Sequence, residues 1–164
     1  MRVVVQRVRE AAVAVDGRIS GKIGPGLLVL AGFEAGDGEA DLGWMAGKLV
    51  RMRIFADMDG VMNRSVQEAG GEVLAVSQFT LYAALKKGNR PSWSRAAPGD
   101  VSQPLFERFV EKLSAELGKP VPTGVFGADG GVRGRYADQP DQRWPGDAQS
   151  RFAGPGIARL PQLG

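Results

Sequence analysis

Runs of apolar residues divide the first third of the chain into short strands. Residues 2–8 and 11–15 have the composition of β-strands, and a turn at Asp16-Gly17 leads into the next segment. Gly24-Pro25-Gly26 interrupts the chain before residues 27–33, LLVLAGF. The unbroken apolar character of that run predicts a central strand covered on both faces.

Two later segments change to a helical period. Beginning near Glu39, apolar residues recur at three- and four-residue steps and predict one buried helix face: Leu42, Met45, Leu49 and Met52. A second helix is predicted over 101–117 and ends at Gly118, with the apolar positions Leu105, Phe106, Phe109, Val110, Leu113 and Leu117.

Residues 72–79 and 120–126 predict two further strands, and residues 86–98 predict a polar loop. The order β-β-β-α-β-α-β with antiparallel connections indicates an α+β domain, an antiparallel or mixed β-sheet with two helices packed on it. At 164 residues, the chain is long enough for one such domain and too short for two ordinary ones.

The last part of the chain breaks this pattern. Residues 130–164 contain seven Gly and four Pro and have no apolar period, so they bury too little to offset their ordering entropy. We therefore predict a domain over 1–129 and a disordered tail over 130–164. Five Arg and three Asp in the tail supply most of the net charge of +3, so this charge does not by itself indicate nucleic-acid binding.

The chain has no histidine and no cysteine, which excludes several kinds of chemistry. Without histidine there is no Ser-His-Asp hydrolase, no HExxH peptidase and no histidine-bound zinc. Without cysteine there is no disulfide, which fits a cytoplasmic protein. The carboxylates of Asp57, Asp59 and Glu68 form no convergent pattern, so we predict no metal and no cofactor. No apolar run approaches the roughly 18–20 residues that span a bilayer.

Candidate chemistry lies where the strand over 72–79 ends. Ser77, Gln78 and Thr80 stand there in SQFTLYA, where side chains and free N–H groups can face a ligand. The same residue types also satisfy the hydrogen bonds of a strand end or cap a turn, which is the commoner role. The polar loop adds three cations that are either solvated or in contact with phosphate: Lys86, Lys87 and Arg90.

SQFTLYA followed by KKGNRPSW resembles the signature of D-aminoacyl-tRNA deacylases. MRVVVQRV, RIFADMDGVMNRSV and TGVFGAD resemble other segments of that family in the same order, so the resemblance covers residues 1–129. It implies a cytoplasmic homodimeric enzyme that hydrolyses the ester of D-aminoacyl-tRNA, and of glycyl-tRNA mischarged on tRNA-Ala, with no cofactor and no membrane partner.

The resemblance also implies roles for residues. Residues 77–80 are expected to line the catalytic pocket, with backbone N–H groups near Gln78 and Phe79 stabilising the oxyanion and Thr80 positioning the ester or the water. One such donor is typically worth about 3–4 kcal/mol in the transition state. The rest of the chemistry is expected to use the substrate's own 2′-hydroxyl, without a side-chain base. The expected substrate-binding residues are Gln6 and Arg7 of the first-strand motif, and Lys86, Lys87 and Arg90 for the phosphates of the tRNA acceptor end.

One family motif, Asn-x-Gly-Pro-Val-Thr, is missing from its place after GVFGAD. In the family its Gly-Pro pair enters the partner subunit's pocket and rejects L-amino acids. Gly24-Pro25 and Gly154-Pro155 stand in other contexts and do not match it. Its absence implies weakened dimer packing and poor or unselective deacylation.

Two hypotheses account for the missing motif: a frameshift, or a divergent, flexible extension of a genuine family member. Codons allowed for residues 130–152, read one nucleotide later, can spell GVFGADMQISLINGGPVTLSLDS, which repeats GVFGAD and then contains the motif. The two copies are offset by six codons and one nucleotide, so a 19-nucleotide tandem duplication would create the tail. The gene sequence tests the frameshift hypothesis, because this hypothesis requires a near-identical repeat across codons 124–136.

Two other functions are compatible with the residues. One is a tRNA-end or nucleotide-binding module without catalysis, and the other is a structural oligomerisation domain. Turnover of D-tyrosyl-tRNA distinguishes the enzyme from both, and salt-dependent tRNA binding without turnover indicates the module.

Overall fold

The computed structural model describes residues 1–86 and 88–127 and the backbone of the strand Gly130–Tyr136. A 3₁₀ helix, Phe79–Tyr82, comes shortly after the sixth strand. The two α-helices are α1 Glu39–Arg51 and α2 Gly99–Leu117. The strands are β1 Arg2–Val15, β2 Arg18–Ile23, β3 Gly26–Gly32, β4 Phe55–Ala56, β5 Met62–Arg64, β6 Glu72–Ser77 and β7 Gly130–Tyr136.

The main sheet is mixed and has the order β2-β1-β3-β6, with β7 also paired to β1. β1 is antiparallel to its three partners, whereas β3 and β6 are parallel. The two predicted strands over 2–8 and 11–15 form one continuous strand, since residues 2–8 pair with β3 and residues 11–15 continue beyond it to pair with β2. The Asp16-Gly17 turn joins β1 to β2 and has positive φ at both residues, 49° and 78°.

β3 is buried on both faces, as its unbroken apolar sequence predicts. Leu27, Val29 and Ala31 face the core beneath the helices, and Leu28 belongs to a second core on the opposite face. The predicted α+β fold, a mixed sheet with two helices packed on it, is therefore confirmed.

Both helices cover the same face of the sheet. Leu42 and Leu49 of α1 are buried, as predicted, and Met45 and Met52 pack at the margin of this core. At its centre the ring of Phe33 makes edge contacts with two rings of α2, at centroid distances of 6.3 Å to Phe106 and 6.2 Å to Phe109. Gly118 ends α2 in the left-handed conformation, also as predicted.

The opposite face of the sheet, here called the helix-free face, is only partly covered. Its second core comprises Val8, Ala11, Val13, Ile23, Leu28 and Leu74. Beyond this core Val4 is 47% exposed, and its neighbours Leu30 and Val76 are half-buried. This margin of the face lies on the side of the sheet where β6 ends.

The C-terminal part of the domain differs from the sequence prediction in two ways. The strand predicted over 120–126 reduces to one parallel bridge between Thr123 and Ala75. The domain also continues past residue 129, because Gly130–Tyr136 forms β7 and pairs with β1 over residues 8–15. The predicted disorder is therefore wrong for Gly130–Tyr136, and the rest of the tail, 137–164, lies outside the described residues.

β7 can form without an apolar period because the edge of β1 presents backbone N–H and C=O groups. Any extended segment can form hydrogen bonds with these groups. Apolar periodicity predicts how side chains are buried, and it carries no information on an open strand edge. Among the described residues, no helix is long and apolar enough to cross a membrane.

Candidate active site

The candidate site lies on a tight turn beyond the carboxyl ends of two parallel strands. β6 ends at Ser77, whose Cα is opposite Ala31 of β3, and β3 ends one residue later at Gly32. A Cβ atom on Gly32 would lie 2.8 Å from the carbonyl oxygen of Gln78. Glycine at position 32 therefore lets the turn after β6 approach β3 closely.

Gln78 extends the pairing of β6 by one hydrogen bond. Its backbone N–H donates to the carbonyl oxygen of Ala31 at 2.7 Å, so it is not available to stabilise an oxyanion. Of the donors expected near Gln78 and Phe79, the Gln78 N–H is therefore already engaged within the sheet. Gln78 belongs to the site through its side chain instead.

The 3₁₀ helix supplies a different pair of donors. Its backbone bonds run from Leu81 N–H to the Gln78 carbonyl, at 3.3 Å, and from Ala83 N–H to the Thr80 carbonyl, at 3.0 Å. The N–H groups of Phe79 and Thr80 lie in the first turn, where a 3₁₀ helix has no internal acceptor to offer. Within the described part of the chain, these two adjacent N–H groups donate to no other residue.

The side chain of Gln78 orders the hydroxyl beside these donors. Its Nε2 atom donates to Thr80 Oγ1 at 2.5 Å, so the hydroxyl accepts one bond and keeps its own proton to donate. Both side chains are half-buried. The turn therefore offers two N–H donors and one oriented hydroxyl to a bound oxygen atom.

The neighbouring side chain of Tyr82 does not supply a base to this turn. The phenol of Tyr82, at the end of the 3₁₀ helix, is buried, and burial together with the charges of Asp37 and Glu34 raises its pKa to about 12. Tyr82 is therefore a protonated hydrogen-bond donor at neutral pH. The described residues also contain no group of three or more carboxylates that could hold a metal ion.

The aromatic ring of Phe79 lies at the surface of the turn. It is 56% exposed and makes an edge contact with the ring of Trp93, at a centroid distance of 5.8 Å. The indole N–H of Trp93 is buried without a hydrogen-bond partner among the described residues. The position of Trp93 beside the site depends on how the polar loop folds back.

The polar loop carries exposed cations next to the turn. Its ends are joined by two backbone bonds between Ala84 and Ser92, of 2.8 and 3.1 Å. Lys86 and Arg90 lie between these ends and are exposed, whereas Lys87 lies outside the described residues. From Thr80 to Pro98 the sequence has four cations and no carboxylate.

The structure separates the two predicted residues of β1 from each other. Because successive strand residues point to opposite faces, Gln6 lies on the helix-free face and Arg7 on the helix side. The guanidinium of Arg7 donates to the carbonyl oxygen of Ile54, so it is engaged with the loop after α1.

Gln6 is also distant from the turn along the sheet. It is opposite Leu28, and Leu28 is opposite Leu74, three residues before Ser77. The backbone of Gln6 is therefore displaced from the turn by about 10 Å in the strand direction and by about 10 Å in the direction that crosses from β1 to β6. The prediction that Gln6 and Arg7 bind substrate together with residues 77–80 receives no support from these positions.

Sequence reasoning missed a polar cluster behind the turn: Arg2, Glu34, Tyr82 and Arg95. These residues come from β1, the end of β3, the 3₁₀ helix and the polar loop. Arg2 and Tyr82 lie in motifs that carry the family resemblance and Arg95 lies in the polar loop, but the sequence analysis gave none of these residues a role. The cluster is created by tertiary packing, so no local pattern could have predicted it.

Comparison with known proteins agrees with this geometry. The family profile described as D-Tyr-tRNA(Tyr) deacylase matches residues 4–135. A D-aminoacyl-tRNA deacylase of Dechloromonas aromatica (strain RCB) is 81% identical over 129 residues, which are 79% of this chain and 86% of that protein. The enzyme of the same name from Chromobacterium violaceum is 65% identical over the same shares of the two chains. In both comparisons about a fifth of this chain lies outside the matched residues.

Solved structures share the fold. A c-Myc DNA unwinding element binding protein superposes with a TM-score of 0.76 at 36% identity, over 82% of this chain and 91% of that chain. A probable eukaryotic D-amino acid tRNA deacylase superposes with a TM-score of 0.72 at 20% identity, over 82% and 92% of the two chains. Taken with the turn after β6 and its N–H donors, these findings show that the chain belongs to the D-aminoacyl-tRNA deacylase family.

Proposed function

We propose that this chain hydrolyses the ester bond between a D-amino acid and the terminal adenosine of tRNA, releasing the free amino acid and tRNA for translation quality control. The observation that carries the proposal is the pair of N–H groups at Phe79 and Thr80, which donate to none of the described residues and lie beside the oriented Thr80 hydroxyl. Family membership supplies the substrate class.

In this reaction water attacks the carbonyl carbon of the ester, and the carbonyl oxygen becomes an oxyanion. The N–H groups of Phe79 and Thr80 stabilise the oxyanion, because fixed donors need no reorganisation when the charge develops. The C–O bond to the ribose then breaks, and the ribose oxygen leaves with a proton. With no histidine in the chain, the substrate's neighbouring 2′-hydroxyl relays the proton from the water.

The tRNA acceptor end is the proposed partner of the polar loop. Lys86, Lys87 and Arg90 meet its phosphates, and the lack of carboxylates between Thr80 and Pro98 supports this orientation of the nucleic acid. Binding then weakens as salt is raised, because phosphate contacts release counterions. Since aminoacyl-tRNA is used where translation occurs, we place the protein in the cytoplasm.

A second copy of the chain is the proposed partner of the helix-free face. Val4, Leu30 and Val76 form an apolar margin that the described residues leave partly exposed. Pairing two such margins would bury this area and bring a second subunit close to the turn after β6. The proposed oligomer is therefore a homodimer.

Deacylation of D-tyrosyl-tRNA tests the function. We expect this chain to release D-tyrosine faster than the uncatalysed ester hydrolyses, measured by loss of acid-precipitable label, with L-tyrosyl-tRNA in parallel. Absence of turnover together with salt-dependent tRNA binding would instead identify a binding module. The missing Gly-Pro motif is the specific observation that favours this second candidate.

A further inference from the structure

Glu34 joins two segments that flank the candidate site. It comes two residues after β3, and its two carboxylate oxygens have different partners. The Tyr82 hydroxyl donates to Oε1 at 3.3 Å, and Nη2 of Arg95 donates to Oε2 at 2.9 Å. The first contact reaches the end of the 3₁₀ helix, and the second reaches the polar loop.

Arg2 of β1 holds the same 3₁₀ helix from another direction. Its Nη1 atom donates to the carbonyl oxygen of Leu81 at 3.0 Å. The guanidinium carbon of Arg2 also lies 4.5 Å from the centroid of the Tyr82 ring, and that of Arg95 lies 5.9 Å from it. Because guanidinium groups are attracted to the faces of aromatic rings, these contacts add to the hydrogen bonds.

The charges of the cluster are complementary. Hydrogen bonding and charge from Arg95, opposed by desolvation, lower the pKa of Glu34, so its carboxyl is ionised at neutral pH. The phenol of Tyr82 remains protonated and can donate to this carboxylate. The ring itself is 2% exposed, so the 3₁₀ helix ends on a side chain that is fixed in the interior.

We propose that Glu34 is a positioning residue: through Tyr82 and Arg95 it fixes the 3₁₀ helix that presents the Phe79 and Thr80 N–H groups, a role that rests on the proposed function. Glu34 itself has no contact with these two N–H groups. Its effect on the reaction is indirect, since a donor that moves by a fraction of an ångström stabilises the oxyanion less well.

The first test is Glu34→Gln, which keeps the size of the side chain and removes its charge. We expect kcat for D-tyrosyl-tRNA to fall about tenfold, less than the roughly 10²- to 10³-fold loss typical of removing a donor. KM should stay within about twofold, because Glu34 does not touch the substrate. Hydrogen exchange at the Leu81 and Ala83 amides, which close the 3₁₀ helix, should become faster.

Tyr82→Phe is a second variant that keeps the buried ring. It removes the hydrogen bond to Glu34 and leaves the aromatic ring for Arg2 and Arg95 to contact. The same changes in kcat and in amide exchange are expected. Agreement between the two variants would indicate an effect through Glu34, because Tyr82→Phe removes the bond to one of its carboxylate oxygens and Glu34→Gln removes the charge that Arg95 pairs with.

Glu116→Gln is the matched control. Glu116 accepts a hydrogen bond from Arg51 Nη1 at 2.7 Å in an exposed ion pair between α1 and α2. This pair is of the same chemical kind but lies away from the turn, so kcat and exchange at Leu81 and Ala83 should not change.

The outcomes separate the inference from the function. Suppose that the parent chain turns over D-tyrosyl-tRNA and that Glu34→Gln has the same kcat and the same amide exchange. This result would overturn the positioning role and leave the proposed function intact. No turnover by the parent chain, with faster exchange at Leu81 and Ala83 in Glu34→Gln and Tyr82→Phe but not in Glu116→Gln, would overturn the function and retain the positioning of the 3₁₀ helix.

Discussion

The contact between Gln78 and Thr80 decides what the hydroxyl of Thr80 can do. Because Nε2 of Gln78 already donates to Oγ1, the hydroxyl proton points elsewhere and is available to the ester oxygen or the attacking water. A threonine with this geometry orients a reactant and does not act as a nucleophile, since no base is present to take its proton.

Replacement of Thr80 by Val is the residue-scale test of this role. The side chain keeps its shape, but the oriented hydroxyl is lost and Gln78 Nε2 is left without its acceptor. We expect kcat/KM for D-tyrosyl-tRNA to fall about 10²-fold, the range seen when a polar group at an oxyanion site is removed. Thr80→Ser, which retains the hydroxyl, should keep most of the activity. Equal activities for the Val and Ser variants would contradict the role.

Tyr82 gives a prediction about pH and stability. Its pKa is raised from 10.0 to about 12 in the folded chain, chiefly because burial disfavours the phenolate. The protonated phenol therefore contributes stability that is fully present below pH 10.0 and is lost as the pH rises towards about 12. Denaturant unfolding of the parent chain and Tyr82→Phe should show this loss only in the parent. Parallel pH profiles for the two proteins would show that the phenol does not titrate in this way.

At the scale of elements, the close approach of β3 to the turn depends on Gly32. The clash of an added Cβ is with a backbone oxygen, which cannot rotate away as a side chain can. The strand end or the turn must therefore shift, and with it the donors of the 3₁₀ helix.

Gly32→Ala should lower both stability and turnover. We expect the free energy of unfolding to fall by about 1–3 kcal/mol, the usual cost of overpacking, and kcat to fall with it. Gly36→Ala is the matched control, because a Cβ at Gly36 meets no other atom within 4 Å. The unfolding midpoint in urea measures the first effect. A midpoint for Gly32→Ala equal to that of the control would show that the approach is looser than described.

The elements themselves follow closely from local patterns. The period of Leu42 and Leu49 predicts α1, and the run over 27–33 predicts a strand buried on both faces. The free donors could not be predicted in the same way. Which N–H is engaged after β6 depends on the carbonyl of Ala31 in another strand, so the sequence indicates the turn but does not show which of its N–H groups can act as donors.

At the scale of the whole molecule, we predict that the C-terminal tail limits selectivity. Under the frameshift hypothesis the Gly-Pro motif lies in the shifted frame, in MQISLINGGPVTLSLDS after the second copy of GVFGAD. The described site consequently has donors for the ester but, among its described residues, no Gly-Pro element to test the configuration of the amino acid.

A chain in which this segment replaces residues 130–164 should regain that selectivity. We expect a higher ratio of D- to L-tyrosyl-tRNA hydrolysis than in the parent chain, and a larger dimer fraction by sedimentation. The control is a chain in which a Gly-Ser segment, equal in length to the restored segment, replaces residues 130–164. It measures the effect of removing these residues. Identical D-to-L ratios in the parent and restored chains would show that the motif does not determine selectivity in this protein.

The pairing of β7 with β1 suggests how a new C-terminal sequence can be accommodated by an existing fold. Backbone N–H and C=O groups carry this pairing, and every reading frame supplies them alike. A shifted frame therefore loses the family's side chains here while keeping a ladder of hydrogen bonds along the edge of β1. Under the frameshift hypothesis, mutation and selection can then work on a novel C-terminus that is already anchored to the sheet.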